Sequence, residues 1–314
     1  MPTDVILDVD TGVDDALALL LAARSPHLNL IAATCVHGNV TLDKVLPNTL
    51  NVLHHAGRDD VPVAAGMDRP LVEPPQHAHG VHGDNGIAGI DLPTSPRPPE
   101  AAHAVEFLRH AIMNAERPVT LVPLAPMTNI AALLTQYPEV AANIDRIVFM
   151  GGAIGMGNAT PTAEFNVRHD PESADAVIQS GIPTLMYGLD VFHRVHLTRP
   201  DAETLAASND PAASLAGRLL LAQMQRFGRD TALIGDAGCL ATVIDPAGLT
   251  TAPYPVRVEL TGAWTRGQTV VDLRPHHIST VEVAWDPPMH TTIHVATDID
   301  PDRYATLFKE TLGA

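Results

Sequence analysis

Short apolar, β-branched runs recur along the chain, each followed by a longer stretch whose apolar positions repeat at helical spacing. Val5, Ile6 and Leu7 lead into DDALALLLAA, Leu30 to Val36 into LDKVLPNTLNVLHHAG, and Val61 to Val63 into a loop. The alternation returns in VTLVPLA before TNIAALLTQYP, in RIVFMGG and in IPTLMYGLD. These runs are apolar almost throughout, as strands covered by helices on both faces must be. The pattern predicts an α/β fold, an open and mostly parallel sheet flanked by helices. Late in the chain the rhythm changes to VRVEL, QTVVDL, STVEVAW and TTIHVAT, closely spaced and alternating, which predicts a small antiparallel extension before a last helix from Pro301 to Leu312. With no internal repeat and no low-complexity linker, residues 1–314 read as a single domain.

In open parallel sheets ligands lie beyond the carboxyl ends of the strands, so the residues that follow each strand carry the chemistry. The first strand runs into Asp8, Asp10, Asp14 and Asp15, with a helix predicted from about Asp14. A helix start accounts for Asp14 or Asp15, because unpaired amides and the positive end of the dipole favour acids there. It does not account for all four. Crowded carboxylates raise one another's pKa unless a cation offsets them, and no Lys or Arg follows until Arg24. An all-oxygen ligand set selects a hard divalent cation, calcium or magnesium. The run is also close to the nucleophile loop of haloacid-dehalogenase-type phosphatases, but Thr11 directly follows Asp10 and breaks that spacing. The segment from Glu73 to Glu100, rich in Pro, Gly and His, is predicted to be a mobile functional loop.

LDVDTGVDDALALLLA resembles the signature of the nucleoside hydrolase family. In the same order come Val36-His37-Gly38-Asn39, the loop Gly80 to Gly86, Val122-Pro123-Leu124 before Thr128-Asn129-Ile130, Met150-Gly151-Gly152, Asn158-Ala159-Thr160, Ala163-Glu164-Phe165-Asn166 and Asp170-Pro171-Glu172. Gly188-Leu189-Asp190, the region around Asp236 and Val258 to Gly262 extend the resemblance over nearly the whole chain. It implies hydrolysis of the N-glycosidic bond of ribonucleosides, with Asp10, Asp15, Asp236 and the main-chain oxygen of Leu124 binding calcium. Asp10 is then also the general base, taking a proton from a calcium-bound water. Asp14, Asn39, Asn158, Glu164 and Asn166 are implied as ribose ligands, with Asp236 beside the substrate. Phe165, with Phe227, is a candidate to stack on the base, and His82 to assist the leaving base. An oxocarbenium-like transition state suits such a cage of carboxylates and amides. Taken singly, Asn39 and Asn158 also read as turn residues, Asn166 as a surface residue and Glu164 as a helix cap.

One position departs from the family. Many members carry a histidine before the late calcium aspartate, where it protonates the leaving base; here that residue is Gly235. Another group such as His82 then supplies the proton, or the leaving groups need little protonation, or the chain is a weakly active or non-catalytic nucleoside-binding relative.

Charge narrows the partners. With 36 acidic against 19 basic residues the net charge is −17, which disfavours nucleic acid and anionic membranes and suits small neutral substrates or cations, while the ribonucleoside substrate is what the resemblance implies. The start MPTDVILDVD lacks a basic segment and a long apolar run, so a cytoplasmic setting is expected. Cys35 and Cys239 sit in apolar or small-residue surroundings and suggest neither a disulfide framework nor a zinc site. The loop histidines His77, His79 and His82 lack the carboxylate-histidine helix spacing of a zinc site. The family resemblance implies a homo-oligomer, a dimer or a tetramer.

Overall fold

A computed structural model describes residues 1–274 and 291–313. The first strand β1 (Thr3–Val9) shows how the sheet is assembled. Val5, Leu7 and Val9 point into one apolar core and Ile6 into another, the two-residue alternation of a strand covered on both faces. Helix α1 (Val13–Arg24) follows at once, Ala- and Leu-rich, and stops at Ser25 before Pro26, a residue that cannot continue a helix. Its leucines join the first core together with helices α10 (Pro211–Phe227) and α11 (Asp236–Ile244). Helices α4 (Ala104–Met113), α5 (Thr128–Gln136) and α7 (Pro171–Ile178) fill the second core.

From β1 the sheet grows both ways. Strands β2 (Leu28–Cys35) and β3 (Val63–Ala65) lie on one side, and β4 (Val119–Pro123), β5 (Ile144–Met150) and β6 (Thr184–Tyr187) on the other, all parallel. The order therefore reverses between β1 and β4, and a crevice opens where their carboxyl ends diverge. The Leu124 amide donates to the Asp8 carbonyl (2.8 Å) and fixes that crevice.

Beyond β6, β11 (Thr292–Ile299) is parallel to it, and β9 (Leu249–Val258) runs antiparallel to both β11 and β10 (Thr269–Val271). The antiparallel extension is thus formed by VRVEL, QTVVDL and TTIHVAT, while STVEVAW lies outside the described residues. The final helix is Pro301–Thr311, one residue shorter than its periodicity predicts. Both cysteines are buried and unpaired. Among the described residues no helix is long and apolar enough to cross a membrane.

Candidate active site

The acidic run at the end of β1 becomes a buried knot of hydrogen bonds. Asp10 is the first residue beyond the strand, and Asp15, in the first turn of α1, reaches back to accept the amides of Asp10 (3.1 Å) and Gly12 (2.9 Å). Asn39 arrives from the loop after β2. Its amide donates to Asp10 Oδ2 (2.6 Å), and its side-chain nitrogen donates to Asp10 Oδ1 (3.0 Å) and Asp15 Oδ2 (3.1 Å). The preceding Gly38 lies so close to the Asp10 carboxylate that a Cβ there would overlap it. Turn formation and site formation are therefore the same event at Asn39.

Burial raises the pKa of each of these carboxyls, since the charged form loses its water. Burial and then the charge of Asp15 hold Asp10 well above its ordinary value. Asp15 is pushed up to about 7 by burial and by Asp14, and Asp236, at the start of α11, is raised strongly by burial and by Asp14. Asp14, Asp15 and Asp236 each offer an oxygen within 4.8 Å of the others. No Lys or Arg pairs with any of them among the described residues, and Asp14 Oδ1 is buried without a hydrogen-bond partner. Buried acids that lack a cationic side chain, one with an orphaned oxygen, fit a hard divalent cation as their counter-charge. Asp10 lies behind this trio with both its oxygens held by Asn39, whereas the family resemblance implies Asp10 as a metal ligand and Asp14 as a sugar ligand.

These groups open onto a cavity of about 360 Å³. Asp14, Asn39, His82, Leu124, Asn158, Glu164, Phe165, Asn166 and Asp236 all line it, so most of the residues singled out in the sequence meet here. Asp10 and Asp15 sit behind that wall. Several lining groups also build the wall itself. Glu164 caps helix α6 (Phe165–His169), accepting the amides of Asn166 (2.8 Å), Val167 (3.1 Å) and Gly152 (3.0 Å), and burial brings its pKa to about 7. Asn158 accepts the Phe165 amide (2.8 Å), and the buried Asn166 donates to the carbonyls of Leu124 (2.9 Å) and Met150 (3.1 Å). Cap, turn and cavity lining coincide in the same residues.

His82 ends the short helix His79–His82 within the 73–100 loop, and its Nδ1 accepts the Val13 amide (3.1 Å). That bond leaves the ring proton on Nε2 and keeps the imidazole neutral. Asp14 Oδ1 lies 3.7 Å from the same nitrogen. Thr11 turns away and shares a hydrogen bond with Thr49 (2.6 Å), and no lysine lines the cavity, so the features of a phosphatase nucleophile loop are missing.

Two groups of residues were missed by the sequence reading. One is a buried relay under the loop that carries Asn39. His37 Nδ1 meets His169 Nε2 (3.1 Å), His37 Nε2 meets the Thr128 hydroxyl (3.0 Å), and that hydroxyl donates to Asp170 Oδ2 (2.6 Å). The other is the far wall of the cavity, where Phe192, His193, His196, Gln223, Arg226 and Arg229 gather from α8 (Leu189–Phe192), the start of β7 (His196–Thr198) and the end of α10. His37, Thr128 and Asp170 stand in motifs that order alone could flag. The far wall has no local signature.

The arrangement agrees with known proteins. Residues 5–306 match the family model described as inosine-uridine preferring nucleoside hydrolase. The pyrimidine-specific ribonucleoside hydrolase RihA of Enterobacter sp. (strain 638) is 43% identical over 277 residues, covering 87% of this chain and 88% of that protein. Among solved structures, the plant nucleoside hydrolase PpNRh1 superposes with a TM-score of 0.90 at 31% identity over 100% of both chains. The purine-preferring ribonucleoside hydrolase from Gardnerella vaginalis gives 0.87 at 31% identity over 99% of this chain and 98% of that one. Matched to the family model over nearly its whole length and superposing on these enzymes across the fold, the chain belongs to the nucleoside hydrolase family and is an N-ribosyl hydrolase that cleaves the N-glycosidic bond of ribonucleosides.

Proposed function

We propose that the cleavage is calcium-dependent, with Asp10, Asp15, Asp236 and the Leu124 carbonyl as the metal ligands and Asp10 as the general base. The observation that carries the metal is the approach of Asp15 and Asp236, with Asp14 beside them, to within 4.8 Å of one another without a Lys or Arg partner among the described residues; Asp10 adjoins this cluster, tied to Asp15 through the Asn39 side chain. When bound, calcium supplies the positive charge that offsets these acids and makes a nearby water more acidic. Asp10 takes the proton of the attacking water, whose oxygen bonds to C1′ of the ribose while the glycosidic electron pair leaves with the base. Asp14, Asn39, Asn158, Glu164 and Asn166 hold the sugar hydroxyls, and their negative and dipolar groups face the positive charge that develops on the ring. Phe165 packs against the substrate, and His82 faces the base. The likeness to RihA favours pyrimidine ribonucleosides such as uridine. The same reading takes the chain as one domain, acting in the cytoplasm as a homodimer or homotetramer.

Ribose release from uridine, cytidine and inosine, measured with calcium and after chelation, tests the reading. Chelation should abolish release and calcium should restore it; full activity in the stripped protein overturns the metal assignment. A site that hydrogen-bonds the 2′-hydroxyl should also cleave 2′-deoxyuridine at least about a thousandfold more slowly than uridine. Comparable rates would mean that the sugar sits elsewhere.

A further inference from the structure

The glycosidic bond breaks with its electron pair moving onto the base, and the base must be protonated or leave as an anion. The neighbour of Asp236 is no help. Gly235 adopts φ 56° and ψ −126°, a backbone region that side chains other than glycine rarely enter. Any Cβ built there runs into the Asp14 side chain. The absence of a donor is thus fixed by the backbone. His82 is poorly suited to replace it, since its Nδ1 is engaged by the Val13 amide, and burial, with Arg226 nearby, lowers its proton affinity while Asp14 opposes this.

The far wall of the cavity carries fixed positive charge instead. Arg229 has no carboxylate partner and no side-chain hydrogen bond among the described residues, although it lines the cavity. Arg226 donates to the carbonyls of Gly80 (2.7 Å) and His79 (2.9 Å), which anchor the His82 segment and leave its charge unneutralised. The acids near this wall are otherwise disposed. Asp230 pairs with Arg199 (3.2 Å), Asp190 accepts the amides of Ile154 (2.7 Å) and Gly155 (3.1 Å), and Asp14 belongs to the acidic end. In a chain of net charge −17, two guanidinium groups without a carboxylate partner among the described residues therefore line the same cavity as the sugar cage.

We propose that Arg229, supported by Arg226, stabilises the departing base as an anion in place of proton donation, which makes the enzyme selective for ribosides whose leaving group is a stabilised anion. The class comprises bases with an acidic N–H beside carbonyl groups and phenolate-type aglycones. The inference rests on the proposed placement of ribose at the acidic end. A guanidinium stays protonated at any ordinary pH, so it acts as charge and as hydrogen-bond donor and never as an acid. Its attraction grows as negative charge builds on the base, and so it is stronger in the transition state than in the bound nucleoside. The balance closes. Water gives its oxygen to C1′ and a proton to Asp10, the glycosidic pair departs on the base, and the base anion takes a proton from solvent after release.

The test compares two ribosides on the calcium-loaded enzyme. Uridine releases an anion, whereas nicotinamide riboside, already cationic, releases a neutral base. In Arg229→Gln the ratio of kcat/KM for uridine to that for nicotinamide riboside should fall by about tenfold or more, the loss of one exposed charged donor. Arg229→Lys should restore most of the ratio, because charge is retained. An unchanged ratio in Arg229→Gln, or an equal fall in Arg229→Lys, overturns the proposal. Wild-type enzyme that releases ribose from neither substrate would instead overturn the placement of the ribose on which it rests.

Discussion

At the acidic end of the cavity, the lining residues Asn158, Glu164 and Asn166 and, behind them, Asp10 and Asp15 are each bonded to the local backbone. Elsewhere in the cavity, His193, His196, Arg226 and Arg229 are exposed and come from surface elements, with Arg226 holding the carbonyls of Gly80 and His79 and Gln223 accepting the Leu233 amide (2.7 Å). The difference teaches where this fold tolerates change. The sugar cage also caps α6, closes the β2 loop and pins the sheet crevice, so altering it damages structure as well as chemistry. The exposed residues of the base wall, Arg229 above all, support little else, and substitutions there can redirect leaving-group preference at small cost in stability.

The sharpest way to break this comparison is to remove acids at the constrained end. Asp15→Ala should abolish calcium binding and lower kcat/KM for uridine by roughly a thousandfold or more, because one charge and two backbone bonds go together. Asp14→Ala should lose comparable turnover yet only weaken calcium. Titration calorimetry with calcium decides between them, and equal loss of affinity in both variants would place Asp14 among the ligands.

A smaller but more pointed effect is expected at Gly235. Gly235→Ala should reduce kcat/KM by about ten- to a hundredfold, since a positive φ and contact with Asp14 together impose strain at the metal edge. Gly235→His, which restores a titratable group on paper, should do no better. A rate gain for uridine in Gly235→His would show that the backbone can relax and that the missing acid is a matter of side chain only.

The smallest effect concerns the relay beneath the cage. Burial holds His37 at a pKa of about 3 and His169 at about 4, below the ordinary 6.5. Groups depressed in this way contribute stability that is present above pH 6.5 and is lost as pH falls toward their folded values, since the unfolded chain takes up the proton first. The buried carboxyls Asp8 and Glu164, raised to about 7, act in the opposite sense, stabilising the fold below their ordinary values and less as pH rises through 7. Comparing variants cancels that contribution. The Tm deficit of His169→Asn relative to wild type should therefore shrink between pH 7 and pH 5, and a deficit independent of pH would remove the histidine pair from the account.

The constrained end was largely legible before any coordinates. Asp10, Asn39 and Leu124 each follow a strand that hydrophobic periodicity locates directly, whereas Asp236, at the start of α11, was marked only by the family resemblance. Two particulars were not. Glu164 appears in sequence as a possible cap near Asp170, whereas it caps α6 and faces the cavity at once. Asn166, which reads as a surface residue when taken alone, is buried because its side chain must satisfy the carbonyls of Leu124 and Met150.

What the sequence determined by itself is therefore what short segments encode: most strands of the sheet with the helices that follow the early ones, the two-sided burial of the sheet and the acidic strand end, all set by local periodicity and charge, while residues 196–244 carried no such reading. The base wall, the His37 to Asp170 relay and the meaning of Gly235 were decided only by the tertiary structure. Gly235 matters because α11 packs its start against Asp14 of α1, and Arg229 because the end of α10 brings it to the same cavity as a loop and a strand end. Contacts between elements far apart in the chain leave no period and no motif, since their specificity lies in packing geometry rather than in neighbouring residues.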